Sequence, residues 1–448
     1  MSIFSPFKKY VYFPLRFFLY RRSIPRKVAR LRRKGIAASV AGESRKGSIS
    51  SNGPIRRKGR IRALFIIHDL ASWKSELLYR EMLRHPSFEP LICVTASREE
   101  DDTAAIRRYL DERGYGYGTL GRTGSLRRAF NPDIIFYQKP YDRLLPHRME
   151  FRRNLYALSC YVNYAFHSID EPWVYDSSIF ENSWQVYFEN DAAAVGYRRQ
   201  MGPLARNLRI TGLPMMDELN MPAECFVDPW KPQPGPRKRV IIAPHYSIGD
   251  CYTHQSTFLE YFDFLPELAQ RYADTVQFAF KPHPLLRERL YALWGRERTD
   301  GYYEQWDRMP NAQLFEGRYI DLFKYSDAMV HDCVSFAIEY HYTRNPVLFL
   351  CREGEDLEST LNTFALEARR LHYRAHSSED IVRFIDDLLL GNDPLRPARE
   401  AFYRTELLPP GTSQEAAGPD AAGDGSETAA GAARFTAAEN IIDAILEG

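Results

Sequence analysis

The segment Tyr325 to Leu350, YSDAMVHDCVSFAIEYHYTRNPVLFL, leaves the chain few folding options. Ala328–His331 is a short apolar run of the kind buried in a sheet, and Asp332 to Val334 make a tight loop. Ser335 to Tyr342 has helical spacing, Asn345-Pro346 stops the helix, and Val347–Leu350 is a second apolar run. Strand, helix and strand in so short a span form a βαβ unit, whose strands lie parallel and whose ligands gather at the strand carboxyl ends. The helix start would aim free N–H groups at an anion, which suits a phosphate. Ser335 and Glu339 stand four apart on one helical face, the hydroxyl placed for a phosphate and the carboxylate for ribose hydroxyls. An N-capping serine and a solvated glutamate fit the same spacing.

The alternation recurs on both sides of this unit. Apolar runs at Ile61–Ile67, Pro90–Thr95, Asp133–Tyr137, Cys160–Phe166, Gln185–Phe188 and Leu208–Thr211 read as strands between helical stretches. A second series has Val240–Ala243, Val276–Phe280 and Gln313–Phe315, with one helix expected over Thr257–Tyr272 and another over Ser377–Leu390. The fold class is therefore α/β: two doubly wound Rossmann-type domains facing a cleft, with a basic N-terminal arm. The expected boundaries are an arm and linker at 1–60, α/β domains at 61–228 and 237–409, a low-complexity insert at 411–433 and a closing helix at 434–447. Pro229 to Pro236 is the hinge, and Thr436-Ala-Ala-Glu439 is the capping box of the closing helix, whose apolar face needs a surface to fold back on.

Charge is distributed unevenly. The 448 residues sum to +2, but residues 1–60 hold 17 Lys/Arg against Glu43, which leaves the other 388 residues at −14. A body of that sign disfavours nucleic acid as a partner. The arm mixes Phe4, Phe7, Phe13, Phe17 and Phe18 with basic residues, a composition suited to an anionic membrane surface, and equally that of a disordered basic tail or a transit peptide. No apolar run reaches the ~18 residues of a membrane span. The expected location is cytoplasmic, peripheral to the inner face of the cell membrane. Six cysteines without C-x-x-C spacing imply neither a disulfide framework nor zinc. His331-Asp332 and His341 lack a third ligand at useful spacing, so no metal and no other cofactor is expected.

Three strand-end clusters carry candidate chemistry. In Lys281-Pro-His283-Pro284 two prolines stiffen the loop, so that Lys281 can meet a pyrophosphate and His283 a phosphoryl oxygen or leaving group. In Phe166-His167-Ser168 the histidine can serve as general base toward a hydroxyl. His245, in Ala243-Pro-His-Tyr-Ser247, can contact the same ligand. His68-Asp69 also ends a strand. An exposed turn at 281–284 and a satisfied buried histidine at 167 are the plainer readings.

Taken in order, Phe-His167-Ser, Thr-Gly212-Leu-Pro-Met-Met-Asp217, Ile-Ile-Ala-Pro244, Phe-Lys281-Pro-His283-Pro and the block from Ser326 to Leu350 resemble the CDP-glycerol glycerophosphotransferase family, the teichoic-acid primases and polymerases. The resemblance covers roughly Leu155 to Leu350 plus the last helix. It implies a GT-B fold with the acceptor on the first domain and the nucleotide on the second. It implies His167 and His283 as catalytic residues, and Lys281, Ser335, Glu339, Asp332, Ser168, Gly212 and His245 as substrate contacts. Met215 and Ser247 stand where the family has arginine, and Cys333 and Val334 where it has Tyr and Ser. The implied activity moves a glycerol-phosphate-like polyol-phosphate from a CDP-activated polyol donor to a lipid-linked or glycan acceptor. A glycosyltransferase or sugar-nucleotide enzyme on the same fold, and a non-catalytic scaffold in surface-polymer assembly, stand beside it as alternatives.

Overall fold

The computed structural model describes residues 13–40, 59–96, 103–121, 124–141, 144–248, 256–334, 336–352, 354, 358–412 and 436–448. They divide into two compact units. Unit 1 holds the described residues up to Glu218, then Pro409–Thr412 and residues 436–448; unit 2 holds those from Leu219 to Leu408.

Unit 1 is a seven-stranded sheet of β1 (Ile61–Ile67), β2 (Phe88–Val94), β3 (Gly118–Thr119), β4 (Ile134–Tyr137), β5 (Leu158–Val162), β6 (Gln185–Phe188) and β7 (Leu208–Ile210). The order is β3-β2-β1-β4-β5-β6-β7, and every pair is parallel. Six of seven β1 residues are buried, because helices cover both faces of such a sheet and leave no polar side to alternate with. Leu64 of β1 pairs with Leu91 on one side and Ile135 on the other, which fixes the register at the centre.

The basic arm is not a separate device over its described part. Phe13–Val40 is a 28-residue helix of unit 1, so much of the expected arm and linker is helical. Tyr20, Val28, Leu31 and Gly35 are its buried stripe, at the three- and four-residue spacing of one helical face. The Tyr20 hydroxyl accepts the Ser159 N–H at 3.0 Å, Lys27 donates to the Leu155 carbonyl at 2.5 Å, and Lys34 pairs with Asp133 at 2.6 Å. These partners lie near the strand amino ends, so the helix caps that edge of the sheet. Phe17 stacks on Phe151 with ring centroids 5.8 Å apart, and is therefore a packing residue. Phe4 and Phe7 lie outside the described residues.

The closing helix, Thr436–Glu447, belongs to the same unit. Asp217 accepts the Ala437 and Ala438 N–H groups, each at 2.9 Å, satisfying two donors that a helix start leaves open. Burial pushes that carboxyl up to about 7 against the pull of the same two N–H groups. Gly212, which the resemblance implied as a substrate contact, serves this closure. Its φ is +78°, and a Cβ there would stand 2.9 Å from Ala437 Cβ and 3.0 Å from Pro409 Cβ.

Unit 2 repeats the winding with β8 (Lys238–Ala243), β9 (Val276–Phe280), β10 (Ala312–Leu314), β11 (Ala328–His331), β12 (Val347–Leu350) and β13 (Tyr373–Ala375), in the order β10-β9-β8-β11-β12-β13 and all parallel. Its core gathers Phe258, Phe280, Tyr302, Tyr303 and Trp306, with Trp306 stacked on Phe280 at 4.8 Å. The helix expected over Thr257–Tyr272 is two, Phe258–Tyr261 and Phe264–Arg271. The helix expected from Ser335 has four α-helical residues, Phe336–Glu339, then a tighter turn, Tyr340–Thr343, closed by Arg344 at φ +61°. A helix of one turn sums too few peptide dipoles to be a phosphate site by itself.

Gly212→Ala adds a Cβ where both backbone and neighbours refuse it. The variant should lose about 1–3 kcal/mol in urea unfolding, and an unchanged midpoint would show that the contact with the closing helix is not tight.

Candidate functional site

In a doubly wound sheet the connections leave the two central strands in opposite directions, and the gap at their carboxyl ends is where loops diverge. In unit 2 that gap lies between β8 and β11. The loop after β8 carries His245 and Ser247, the residue after β11 is Asp332, and the loop after β9 carries Lys281 and His283. Four of the expected site residues, His245, Lys281, His283 and Asp332, are thus brought together at these strand ends. The His245 and His283 rings are 5.3 Å apart, and Tyr246 packs 4.5 Å from His283.

Asp332 is fully buried and its acceptor positions are used within the protein. It accepts the N–H of His245 at 2.6 Å, the Ser256 hydroxyl at 2.9 Å, and the N–H and hydroxyl of Thr257 at 2.7 and 3.2 Å. Expected as a substrate contact, it is found ordering the loops that carry His245, Ser256 and Thr257. Burial raises its carboxyl to about 6, although every one of those donors pulls the other way.

His245 Nδ1 meets the Ser247 hydroxyl at 2.8 Å. Burial, reinforced by His283, lowers its ring to about 4. His283 is lowered to about 4 by burial and then by the Lys281 ammonium. Its Nδ1 accepts the Leu285 N–H at 3.1 Å, which leaves the ring proton on Nε2. His283 is thus a neutral donor at pH 7, held beside a buried lysine that is 7 % exposed. Glu339 is buried, which overturns the solvated reading of that carboxylate. Ser335 lies outside the described residues. A cavity of about 320 Å³ opens at the opposite edge, where Lys238 begins β8 and Asp327 precedes β11, and none of the expected site residues lines it.

In unit 1, His167 is not at a strand end. β5 stops at Val162, and His167 sits in the following loop, buried and stacked 3.8 Å from the Phe188 ring. Its Nδ1 is 2.8 Å from Glu189 Oε2, and its backbone N–H donates to Glu189 Oε1 at 2.6 Å. A carboxylate only accepts, so Nδ1 carries the proton and Nε2 is the basic nitrogen. Glu189, directly after β6, is the partner of His167 that sequence reasoning missed. The signal was an acid at the carboxyl end of the strand after the histidine's, and nothing in the linear pattern paired the two. Ser168 follows in the loop and is half-buried.

His331, His341 and His372 are buried beneath the unit 2 site, with rings 5.2 Å (His331 to His372) and 4.8 Å (His341 to His372) apart. Among the described residues no group of three His, Cys, Asp or Glu side chains is placed to hold a metal ion. Burial lowers His331 and His341 to about 3. The unfolded chain therefore binds more protons than the folded one between about pH 6.5 and 3, and stability is lost as pH falls through that window. Asp332 and Asp217, raised to about 6 and about 7, act in the opposite sense, while His245 and His283, lowered to about 4, add to the loss and keep its sign. Each of the two histidines contributes roughly 2 kcal/mol of loss between pH 7 and pH 5, so the unfolding midpoint should drop across that range. A flat profile in urea titrations would contradict the buried neutral histidines.

No protein-family model and no curated protein matches the chain. Solved structures match its fold. A His-to-Asn variant of the wall teichoic acid polymerase TagF soaked with CDPG is 11 % identical, with TM-score 0.53 over 98 % of this chain and 98 % of that one. A His-to-Ala variant of TagF is 10 % identical, with TM-score 0.54 over 98 % and 97 %. UDP-GlcNAc 2-epimerase from Neisseria meningitidis, bound to UDP-GlcNAc, is 13 % identical, with TM-score 0.53 over 87 % of this chain and all of that one. The chain thus has the GT-B-like α/β fold of two doubly wound parallel sheets, shared with TagF over nearly its whole length.

Proposed function

We propose that this protein transfers a polyol-phosphate, glycerol-phosphate-like, from a CDP-activated donor to a hydroxyl of a lipid-linked or polysaccharide acceptor during cell-surface polymer synthesis. The observation that carries the reading is the His167–Glu189 pair, 2.8 Å apart and buried in the loops at the carboxyl edge of a Rossmann-type sheet. Glu189 fixes the tautomer, so Nε2 removes the acceptor proton as the oxygen attacks the polyol-bearing phosphorus. The new P–O bond forms as the bond to CMP breaks, and the proton remains on His167. On unit 2, Lys281 and the Nε2–H of His283 are the groups suited to the charge of a phosphate. The nucleotide lies over unit 2, where Glu339 and Ser335 are its expected neighbours. The CDPG-soaked TagF structure supports the choice of donor.

The helix Phe13–Val40 holds nine Arg/Lys and no acid. It exposes Leu15, Phe18 and Leu19 on adjoining turns. That surface fits an anionic lipid leaflet and would keep the enzyme at the inner face of the membrane, beside a lipid-linked acceptor. No helix among the described residues is long and apolar enough to cross a membrane.

Purified protein given CDP-glycerol, CDP-ribitol and UDP-sugars should release CMP and not UDP; UDP alone would move the reading to the sugar-nucleotide alternative. His167→Ala should slow CMP release by about 10²–10⁴-fold with donor binding intact, and Glu189→Gln should lower the rate without unfolding unit 1. In vesicle sedimentation, phosphatidylglycerol should retain the protein and phosphatidylcholine should not. Phe18→Glu with Leu19→Glu should abolish retention, and equal retention of that variant would remove the helix from membrane binding.

A further inference from the structure

Unit 1 has its own divergence point, between β1 and β4, and His167 is not in it. What stands there is a mixed polar cluster. His68 and Asp69 follow β1 directly, and Gln138 and Lys139 follow β4. Lys139 Nζ is 2.9 Å from Asp69 Oδ2, the Ser72 hydroxyl donates to the same oxygen at 2.7 Å, and the Ser72 N–H donates to Oδ1 at 2.7 Å. His68, 4 % exposed, places Nε2 3.1 Å from Asp69 Oδ2, and that ring nitrogen has no hydrogen-bond partner. Burial would raise Asp69, but Lys139, Ser72 and His68 hold it below the usual carboxylate range, while burial lowers His68. The cluster is an ionised carboxylate, an ammonium and a neutral imidazole.

Aromatic faces adjoin it. Lys139 Nζ lies 5.2 Å from the centroid of the Tyr164 ring, three residues before His167. The Tyr141 ring, two residues beyond Lys139, is 39 % exposed. Tyr164 lies in the same loop after β5 as His167, so the cluster adjoins the loop of the His167–Glu189 pair.

We infer that the β1/β4 divergence point of unit 1 is a subsite for the hydroxyl-rich end of the acceptor, a polyol or sugar. This rests on the proposed transfer reaction, which needs an acceptor hydroxyl at His167. A carboxylate, an ammonium with donor capacity beyond Asp69, and aromatic planes are the groups that take vicinal hydroxyls and the C–H faces of a sugar ring. The carboxylate in the middle disfavours a phosphate there, because like charges would meet in a half-buried site.

Saturation-transfer NMR on the full chain tests this with methyl N-acetyl-β-glucosaminide, glycerol 3-phosphate and inorganic phosphate. The neutral glycoside should receive saturation from the wild type. Lys139→Met and, with less risk to folding, Tyr141→Ala should weaken its binding about tenfold while CDP-glycerol binding holds. Saturation of inorganic phosphate with none of the glycoside would make this an anion site and overturn the inference. Equal glycoside binding in wild type and both variants would place the sugar elsewhere. Absence of CMP release with glycoside binding intact would sink the reaction and leave the subsite; the reverse pattern would sink the subsite alone.

Discussion

A parallel sheet has two unlike edges, and that inequality governs this molecule. Every strand begins at one edge and ends at the other, so every loop that leaves a strand's carboxyl end starts from the same side. In both units the polar residues with chemical capacity are collected there: His68, Asp69, Lys139, His167 and Glu189 in unit 1, His245, Lys281, His283 and Asp332 in unit 2. The amino edge is left to closure. In unit 1 it carries the Tyr20, Lys27 and Lys34 anchors of the long basic helix and the Gln185 side chain, which donates to the Ala444 carbonyl of the closing helix at 2.7 Å.

Buried carboxylates hold these loops in place. Asp332 gathers four donors from two separate stretches, Glu189 grips both the backbone and the ring of His167, and Asp217 takes up the start of the closing helix. In each case an acid reads in the sequence as a ligand contact or as nothing at all. In the structure its oxygens are satisfied by protein. Removing its partners would leave a buried acceptor unpaired, which costs more than the bond itself contributes.

The strands were legible because they are buried on both faces and appear as unbroken apolar runs. Ile61–Ile67, Gln185–Phe188, Val276–Phe280, Ala328–His331 and Val347–Leu350 stand where the sequence reading put them. Short strands without such runs, Gly118–Thr119 and Tyr373–Ala375, left no signal. The basic helix was hidden by its own composition: Pro25 and nine cations interrupt a stripe of small and aromatic residues that only tertiary packing reveals. The site was legible as residue types at strand ends. It was not legible as partners, because His167 and Glu189 are 22 positions apart and Asp332 and His245 are 87 apart, and no local pattern couples such distances.

The closing helix has a consequence for how the protein is made. Unit 1 begins the chain, yet the helix that takes Asp217 and packs against Gly212 is translated after the whole of unit 2. On the ribosome, then, the sheet of unit 1 must wait through some two hundred residues with an apolar face uncovered and the Asp217 carboxylate unmatched. Unit 2, contiguous from Leu219 to Leu408, can finish first. The order of completion is thus the reverse of the order of synthesis, and a nascent chain stalled before Thr436 presents a surface that chaperones, and not the finished protein, would have to cover.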